Sequence, residues 1–531
     1  MEQKRRRLPL GIQSFEELRK DNYLYVDKSD LVWQIANGSK FNYLSRPRRF
    51  GKSILLDTLR CYFEGRKDLF EGLKIMELEK DWVKHPVIRL DMSNAGATAK
   101  ELKSYLNRVF RTLEREYEME TFPDDSLTDR FASIVETAYK KTGKHVAVLI
   151  DEYDSPLQHS WYTPEHEACT DIYRSVFSVL KSATQYEKFV FITGITKFTQ
   201  ISLFSVLNNL NNISFFPEYA AVCGITVQET IDNFKPEIEH LAENNDLTSD
   251  EAMELLKANY DGYHFSSRNM VDVFNPFSLI NALAQGDICN YWASSGATSM
   301  LPKFVDNMEL RMHDYENCPI FRDILETSDV TGGGAELFLY QSGYLTIKSF
   351  DGNNYWLGIP NKEVRMALYH VVLPALTMRS MNEVRTAQSQ LSAQMDYRQL
   401  PQAMKTLTAL IADVPYSNKK MESMDMEERY RFIISSTLHS IGMRVEVEHM
   451  MSKGRIDMVV WSRNYIYIIE LKLKKNGGLQ AAEQQIKENL YAEPFKADKK
   501  EVIALAIELD DLGKGVLGWK EVETDTLQTT T

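Results

Sequence analysis

The chain is short of the features that mark most special classes of protein. Among 531 residues there are five cysteines (Cys61, Cys169, Cys223, Cys289, Cys318), widely scattered. None is close enough to another for a zinc ribbon, so neither a disulfide framework nor a structural zinc is expected. Long apolar runs are missing: residues 146–150 form one of the longest, far below the ~20 residues of a bilayer span, and no membrane partner is expected. With 25 glycines and 16 prolines, collagen and low-complexity architectures are excluded. An excess of basic charge is also lacking. The net charge is −13, so any nucleic-acid contact must use a local basic patch rather than bulk attraction. What is present is ordinary globular composition, 44% apolar and 26% charged, in a chain several times the usual ~100–200 residues of one domain. Lys4-Arg5-Arg6-Arg7 near the start has no apolar segment behind it. This is not a secretory signal, and the reduced cytoplasm is the expected address.

No internal period stands out. The first half alternates strand and helix patterns: strands near 41–45, 86–92, 146–150 and 189–193, with helices over 52–64, 99–118 and 172–183. Strands separated by such helices predict a parallel sheet covered on both faces. After about residue 220 the pattern is mostly helical (226–240, 249–260, 276–284), with strand-like material over 336–359 and long helical patterns over 362–412. A polar break at 416–426 marks the expected last domain boundary. Beyond it come a helix to residue 440, three strands, a helix over 480–491 and a strand over 501–508. The resulting division is 1–220, an α/β core; 221–415, a helical lid and connector; 420–515, a C-terminal domain; and 516–531, a frayed tail.

Two constellations carry chemistry. The first is Ser45-Arg-Pro-Arg-Arg-Phe-Gly51-Lys52-Ser53, placed after a strand and opening a helix. Backbone N–H groups and the helix N-terminus there can face a phosphate, Lys52 can reach the β- and γ-phosphates, and the Ser53 hydroxyl can ligate Mg²⁺. Position 46 is arginine where G-x-x-x-x-G-K-[ST] has its first glycine. About a hundred residues later, a buried strand ends in Asp151-Glu152: the first acid suits the Mg²⁺ shell and the second the attacking water. Thr193 and Lys197, at the end of the next strand, are candidates for sensing the γ-phosphate or for capping the turn. Arg48 and Arg49 are either phosphate partners or surface residues.

The strings RPRRFGKS, FEELRKDNYLYVDKSDLV, LIDEYDSPL, SVLNNLNNIS, YDGYHFS and FNPFSL resemble the AAA-ATPase-like family over about residues 7 to 290. The resemblance implies a P-loop fold with ATP and Mg²⁺. It also implies that arginine in place of the first loop glycine is the family's own pattern.

The second constellation is Gly454-Arg-Ile-Asp457-Met-Val-Val-Trp461, then Ser-Arg-Asn, then Tyr465-Ile-Tyr-Ile-Ile-Glu470-Leu-Lys472. If Arg463-Asn464 forms a two-residue turn, Ser462 faces Tyr465 and, counting outward, Asp457 faces Glu470. Lys472 shares that face. Two carboxylates opposed across strands repel, and a divalent cation between them removes the conflict. Their oxygens suit Mg²⁺, with Mn²⁺ an alternative. Lys472 beside the ion can orient a water or stabilise charge on phosphate.

This D…ExK arrangement is similar to the PD-(D/E)XK nuclease superfamily. The block RIDMVVWSRNYIYIIELKL with QQIKENLYAEPF resembles the nuclease domain fused to this same ATPase family, over about residues 427 to 509. The resemblance implies an accessory glutamate, Glu427 or Glu428, and a Gln485…Tyr491 pair. Both glutamates also suit a helix N-terminus, and Tyr491 also suits a core. Lys453, Arg455, Lys472, Lys474, Lys475, Lys496, Lys499 and Lys500 can form a local patch for nucleic acid, DNA in the first place, or be ordinary solvated side chains.

The sequence therefore predicts an α/β protein: a P-loop NTPase parallel sheet with a helical middle region, followed by a restriction-endonuclease-like α/β domain. The expected function is ATP binding and hydrolysis that controls a Mg²⁺-dependent nuclease, in a chain that can also form a homo-oligomer. The alternative is an ATP-dependent signalling switch whose nuclease fold serves only for docking.

Overall fold

The computed structural model describes residues 7–120, 125–196, 210–294, 301, 315–327, 334–377, 379–412, 424–451 and 454–523. The chain forms two compact units, Met1–Ala297 with Asp314–Asn361, and Thr298–His313 with Lys362–Thr531.

In the first unit β1 (Phe41–Ser45), β2 (Val87–Asp91), β3 (Val146–Asp151), β4 (Glu187–Gly194) and β5 (Asn211–Asn212) make a sheet of order β2-β3-β4-β1-β5, parallel throughout. β3 is buried at every position, as a strand covered on both faces must be. β1 and β2 follow one another in sequence but are separated by β3 and β4, which brings the carboxyl ends of β1, β3 and β4 side by side. In open parallel sheets that edge is where ligands bind.

The rest of this unit is mainly helical. The helical pattern over 226–240 is two helices, Val227–Asn233 and Lys235–Asn244, with Pro236 in the first turn of the second. Proline lacks an N–H and can restart a helix but not continue one. Between Tyr260 and Pro276 only a two-residue strand, β7 (Val273–Phe274), forms, paired with β6 (Ile225–Thr226). The strand-like material at 336–359 needs correction: Gly334–Ser342 is a helix. Residues 337–342 are buried at every position, and a short run buried all round carries no period that separates strand from buried helix. The strands are confined to β8 (Cys318–Phe321), β9 (Thr346–Phe350) and β10 (Asn354–Gly358), in antiparallel order β8-β10-β9.

The second unit holds the helices Lys362–Thr377, Met381–Asp396, Leu400–Ile411 and Met426–Ser440, and a five-stranded sheet. The helices within 362–411, grouped with the middle region in the sequence reading, therefore fall with the C-terminal sheet. Most of the polar break, 413–423, lies outside the described residues. The sheet runs β11 (Arg444–Met451), β12 (Gly454–Trp461), β13 (Tyr465–Leu473), β14 (Glu501–Leu509) and β15 (Val516–Val522), in that order. Only β13 and β14 are parallel, joined through the helix Gly478–Glu488. β15 corrects the expectation of a tail from residue 516: it pairs antiparallel with β14. It is a sheet edge with one buried residue, Val522, so it lacks the apolar alternation that announces a half-buried strand. Among the described residues no helix is long and apolar enough to cross a membrane.

Candidate functional site

The phosphate loop leaves β1 at Ser45 and turns through two left-handed residues, Arg49 (φ 70°) and Gly51 (φ 87°), into the helix Lys52–Phe63. Glycine takes such a φ without strain, and here it aims the helix N-terminus at the loop. Lys52 is buried, and its Nζ donates to the carbonyls of Arg46 at 2.9 Å and Pro47 at 3.0 Å. Burial holds its ammonium below the ordinary value, against the pull of Glu152, Asp151 and Asp154. Ser53 follows on the helix, half-buried. The end of β3 supplies the acids. Asp151 Oδ1 accepts from the Thr193 hydroxyl at 2.6 Å and from the Glu152 N–H at 3.0 Å. Glu152 sits at a left-handed φ of 46°. Burial lifts its carboxyl above the ordinary value; Lys52 opposes this, while Asp151 and Asp154 add to it.

Thus Lys52, Asp151, Glu152 and Thr193 gather at one sheet edge. Lys197 lies outside the described residues. Arg48 donates to Gln158 Oε1 at 3.3 Å, and the Arg49 guanidinium lies 4.9 Å from the centroid of the Phe277 ring. The sequence reading missed two residues here. Asp154 is buried, and its Oδ2 accepts from the N–H groups of Ile195 and Thr196, the Thr196 hydroxyl and Gln158 Nε2. The third acid of DEYD was the available signal. Arg46, noted only as a departure from the glycine pattern, is 1% exposed. It donates to the carbonyls of Ser45, Ser214 and Tyr219 and stacks 4.1 Å from the Phe265 ring. Phe50 of the loop packs edge-on to Tyr263 and Phe265. The YDGYHF string is therefore a brace for the loop, and Arg46 is the loop's anchor.

In the second unit, β12 and β13 pair as Trp461↔Ile466, Val460↔Tyr467, Val459↔Ile468 and Met458↔Ile469. The turn at Arg463-Asn464 is closed by the Ser462 N–H on the Tyr465 carbonyl at 2.9 Å. One step further the ladder gives way to side chains: Leu471 N–H donates to Asp457 Oδ2 at 2.8 Å, and Asp457 N–H reaches Glu470 Oε2 at 3.4 Å. The β11–β12 ladder lapses at the same level, between Val447↔Met458 and His449↔Ile456, where Glu448 has a left-handed φ of 55°.

Around this opening, charges pair closely. Lys472 Nζ donates to Glu470 Oε1 at 2.8 Å and stands 4.0 Å from Glu427 Oε1. Arg431 Nη1 donates to Asp457 Oδ1 at 3.1 Å, and its Nη2 meets Glu448 Oε1 at 2.9 Å. Glu470 is fully buried, and burial followed by the Asp457 charge pushes its carboxyl up to about 7, with Lys472 pulling the other way. Burial alone would lower Lys472, but Glu470, Asp457 and Glu427 outweigh it and hold the ammonium above its ordinary value.

The two accessory glutamates separate cleanly. Glu428 closes the capping box of the helix Met426–Ser440 with Asp425, whereas Glu427 Oε2 turns to the Leu473 N–H and the Asn476 amide, each at 3.4 Å. Gln485 donates to the Tyr491 hydroxyl at 3.0 Å, which in turn donates to the Arg455 carbonyl at 2.8 Å. That pair braces β12 two residues from Asp457, and Tyr491 is also core. Arg431 and Glu448 were missed. The available signal was helical spacing, since Arg431 lies four residues after Glu427 and residues so spaced share a face. Of the basic residues, Arg455, Lys474, Lys475, Lys496 and Lys499 are exposed. Arg455 pairs with Glu448, Lys496 with Glu493, and Lys500 donates to the Ser462 carbonyl. Lys453 lies outside the described residues.

Among the described residues no cluster of three or more His, Cys, Asp and Glu forms a ready-made metal cage. The donors are a carboxylate pair. Each of its four oxygens already holds one partner and keeps a further lone pair. Burial first and the Asp457 charge second lift Glu470, so the pair carries a repulsion that a cation between its oxygens would relieve. These donors fit an oxygen-seeking divalent cation.

Comparison with known proteins matches a family to each of the two regions. Residues 9–204 match the AAA-ATPase-like family, described as predicted AAA-ATPase, and residues 425–514 match the PD-(D/E)XK nuclease superfamily. The chain belongs to the AAA-ATPase-like family and carries a PD-(D/E)XK nuclease-superfamily domain behind its ATPase-like one. A relative from Azotobacter chroococcum mcd 1, named "Uncharacterized protein in vnfD 5'region", is 30% identical over 529 residues, covering 97% of this chain and 98% of that one. Two solved structures show weaker likeness. The Aeropyrum pernix ORC1 protein in complex with DNA has 11% identity over 66% of this chain and 94% of its own, with a TM-score of 0.26. The Aeropyrum pernix ORC2 protein has 12% identity over 62% and 88%, with a TM-score of 0.27. Scores that low carry no argument about function.

Proposed function

We propose that this protein is an ATP-binding hydrolase whose nucleotide state governs a divalent-cation-dependent nuclease site that cleaves phosphodiester bonds, with DNA as the first substrate to test. The observation that carries the reading is the buried pair Asp457–Glu470 with Lys472 Nζ at 2.8 Å from Glu470. In this reading Lys52 exchanges the Arg46 and Pro47 carbonyls for the β- and γ-phosphates, and the loop N–H groups cradle them. Ser53 and Asp151 hold the magnesium of MgATP, Glu152 takes the proton of the hydrolytic water, and Thr193 senses the γ-phosphate through Asp151. Arg48 and Arg49 flank the loop as further counter-charges, and Lys197 is retained as a sensor candidate.

At the second site Asp457 and Glu470 hold Mg²⁺ or Mn²⁺, and Lys472 orients the water and offsets charge on the phosphate. Glu427 adds negative charge beside Lys472, while Gln485 and Tyr491 fix the strand. The cation, when bound, supplies Lewis acidity to the phosphate and lowers the pKa of water. Exposed Lys474, Lys475 and Lys499 offset the phosphate backbone in an otherwise acidic chain. The setting we favour is the cytoplasm, with self-association of the chain a further arm to test.

The rival reading, a nucleotide-dependent switch that uses the nuclease fold only for docking, is favoured by one observation: Arg431 already neutralises Asp457. Nicking of supercoiled plasmid with Mg²⁺ or Mn²⁺, with and without ATP, separates the two. The nuclease reading expects wild-type nicking, a loss of about a thousandfold with Asp457→Ala, and loss of ATP response with Lys52→Ala. A Lys472→Ala protein that nicks at the parental rate would defeat the role given to that lysine.

A further inference from the structure

One guanidinium joins an acid of the pair to an acid outside it. Arg431 lies on the helix Met426–Ser440 with its side chain 13% exposed, and Asp457 opposite is 9% exposed. Glu448, which takes the other nitrogen, is at the rim with 37% exposed. Its left-handed backbone falls where β11 stops pairing with Asp457. A non-glycine residue persists in that conformation only when its surroundings hold it there, and at this lapse in the ladder the Glu448 carboxylate lies on Arg431. The two cations of the centre also divide their work: Lys472 serves Glu470, and Arg431 serves Asp457. Arginine suits this place because its rigid planar fork offers separate nitrogens, in fixed geometry, to two carboxylates.

Resting on the reading of Asp457 and Glu470 as a cation-holding pair, we propose that Arg431 is the pair's resident counter-ion: it occupies the Asp457 oxygen that a divalent cation needs, and Glu448 is the seat onto which it withdraws when the cation binds. The guanidinium and the metal then compete for Oδ1. Arg431 sets the threshold concentration of cation, and Glu448 lowers that threshold by giving the displaced charge a partner. Arg455, paired with Glu448 at 3.1 Å, is the rival for that seat.

The test is Mn²⁺ binding to the full chain, measured by calorimetry without nucleic acid at alkaline pH so that protons do not compete. Arg431→Gln is expected to bind Mn²⁺ roughly tenfold tighter, the scale of one charge-assisted hydrogen bond removed from the competitor. Glu448→Gln is expected to bind several-fold more weakly. A residue that merely supports the fold would weaken binding in both variants, so the opposite signs are the signature. Should Arg431→Gln fail to fold, Arg431→Lys is expected to bind tighter by a smaller factor. Equal or weaker binding by a folded Arg431 variant overturns the competition, and unchanged binding by Glu448→Gln overturns the seat. If wild type binds Mn²⁺ and the variants do not shift, this inference alone falls. If wild type binds no Mn²⁺, the reading of the acid pair falls with it.

Discussion

In the phosphate loop, buried Lys52 is held by two backbone carbonyls of its own loop, whereas in the C-terminal hairpin, half-buried Lys472 is held by carboxylates. Carbonyls are partial charges and release an ammonium readily when a phosphate offers full ones. Carboxylates release their counter-ions only to another cation. On the proposed reading the first centre is thus set for an anion, with its acids, Asp151 and Glu152, together at the end of β3. On the same reading the second is set for a cation, with its acids brought together by a hairpin.

That contrast can be broken by variants and by pH. The largest effect is expected at the hairpin: Asp457→Ala should reduce plasmid nicking about a thousandfold, since it removes half of the cation's carboxylate donors. Quantified nicking with Mn²⁺ checks this, and activity within tenfold of wild type would remove the hairpin from the chemistry.

Next comes pH. In the folded chain burial and then the Asp457 charge push the Glu470 carboxyl up to about 7 from an ordinary 4.5. Through that window the folded state keeps a proton that the unfolded state has released. Stability from this group is therefore full below about 4.5, falls as pH rises, and is lost above about 7, by an amount on the order of 3 kcal/mol. Thermal unfolding across the window should show the decline. It should also show Mn²⁺ restoring stability above the window and not below it.

A smaller loss is expected at the other centre. Arg46→Gly restores the glycine of the common phosphate-loop pattern, yet it strips the carbonyls of Ser214 and Tyr219 of their donor. It should cost about 2–3 kcal/mol in urea unfolding and weaken ATP binding with it. A stability-neutral outcome would mean that the loop does not depend on its anchor. The smallest effect is Asp425→Ala, which opens the capping box above Glu427 and Arg431 and should cost about 1 kcal/mol by the same measurement.

Much of this was legible beforehand, for identifiable reasons. β3 and β4 announce themselves because a strand buried on both faces must be apolar without interruption. The hairpin register follows from a two-residue turn and a side-chain period of two, which carries from Ser462 to Met458 against Tyr465 to Ile469. The helix Gly334–Ser342 was misread because burial on all sides erases periodicity, and β15 because an edge strand buries too little to show one.

Lys52, Asp151, Asp457, Glu470 and Lys472 were identifiable as candidates from local spacing, because each is placed by the element that carries it. Arg46, Asp154, Arg431 and Glu448 were not. Arg46 reaches the 214–219 segment, Asp154 gathers donors from residues 195 and 196, and Arg431 joins a helix to two strands. Local sequence determines which way a strand's side chains alternate and where a loop can turn. Which distant charge arrives to neutralise a buried one is decided only when the chain packs, since that partner is selected by proximity in space and by the cost of leaving a buried charge alone.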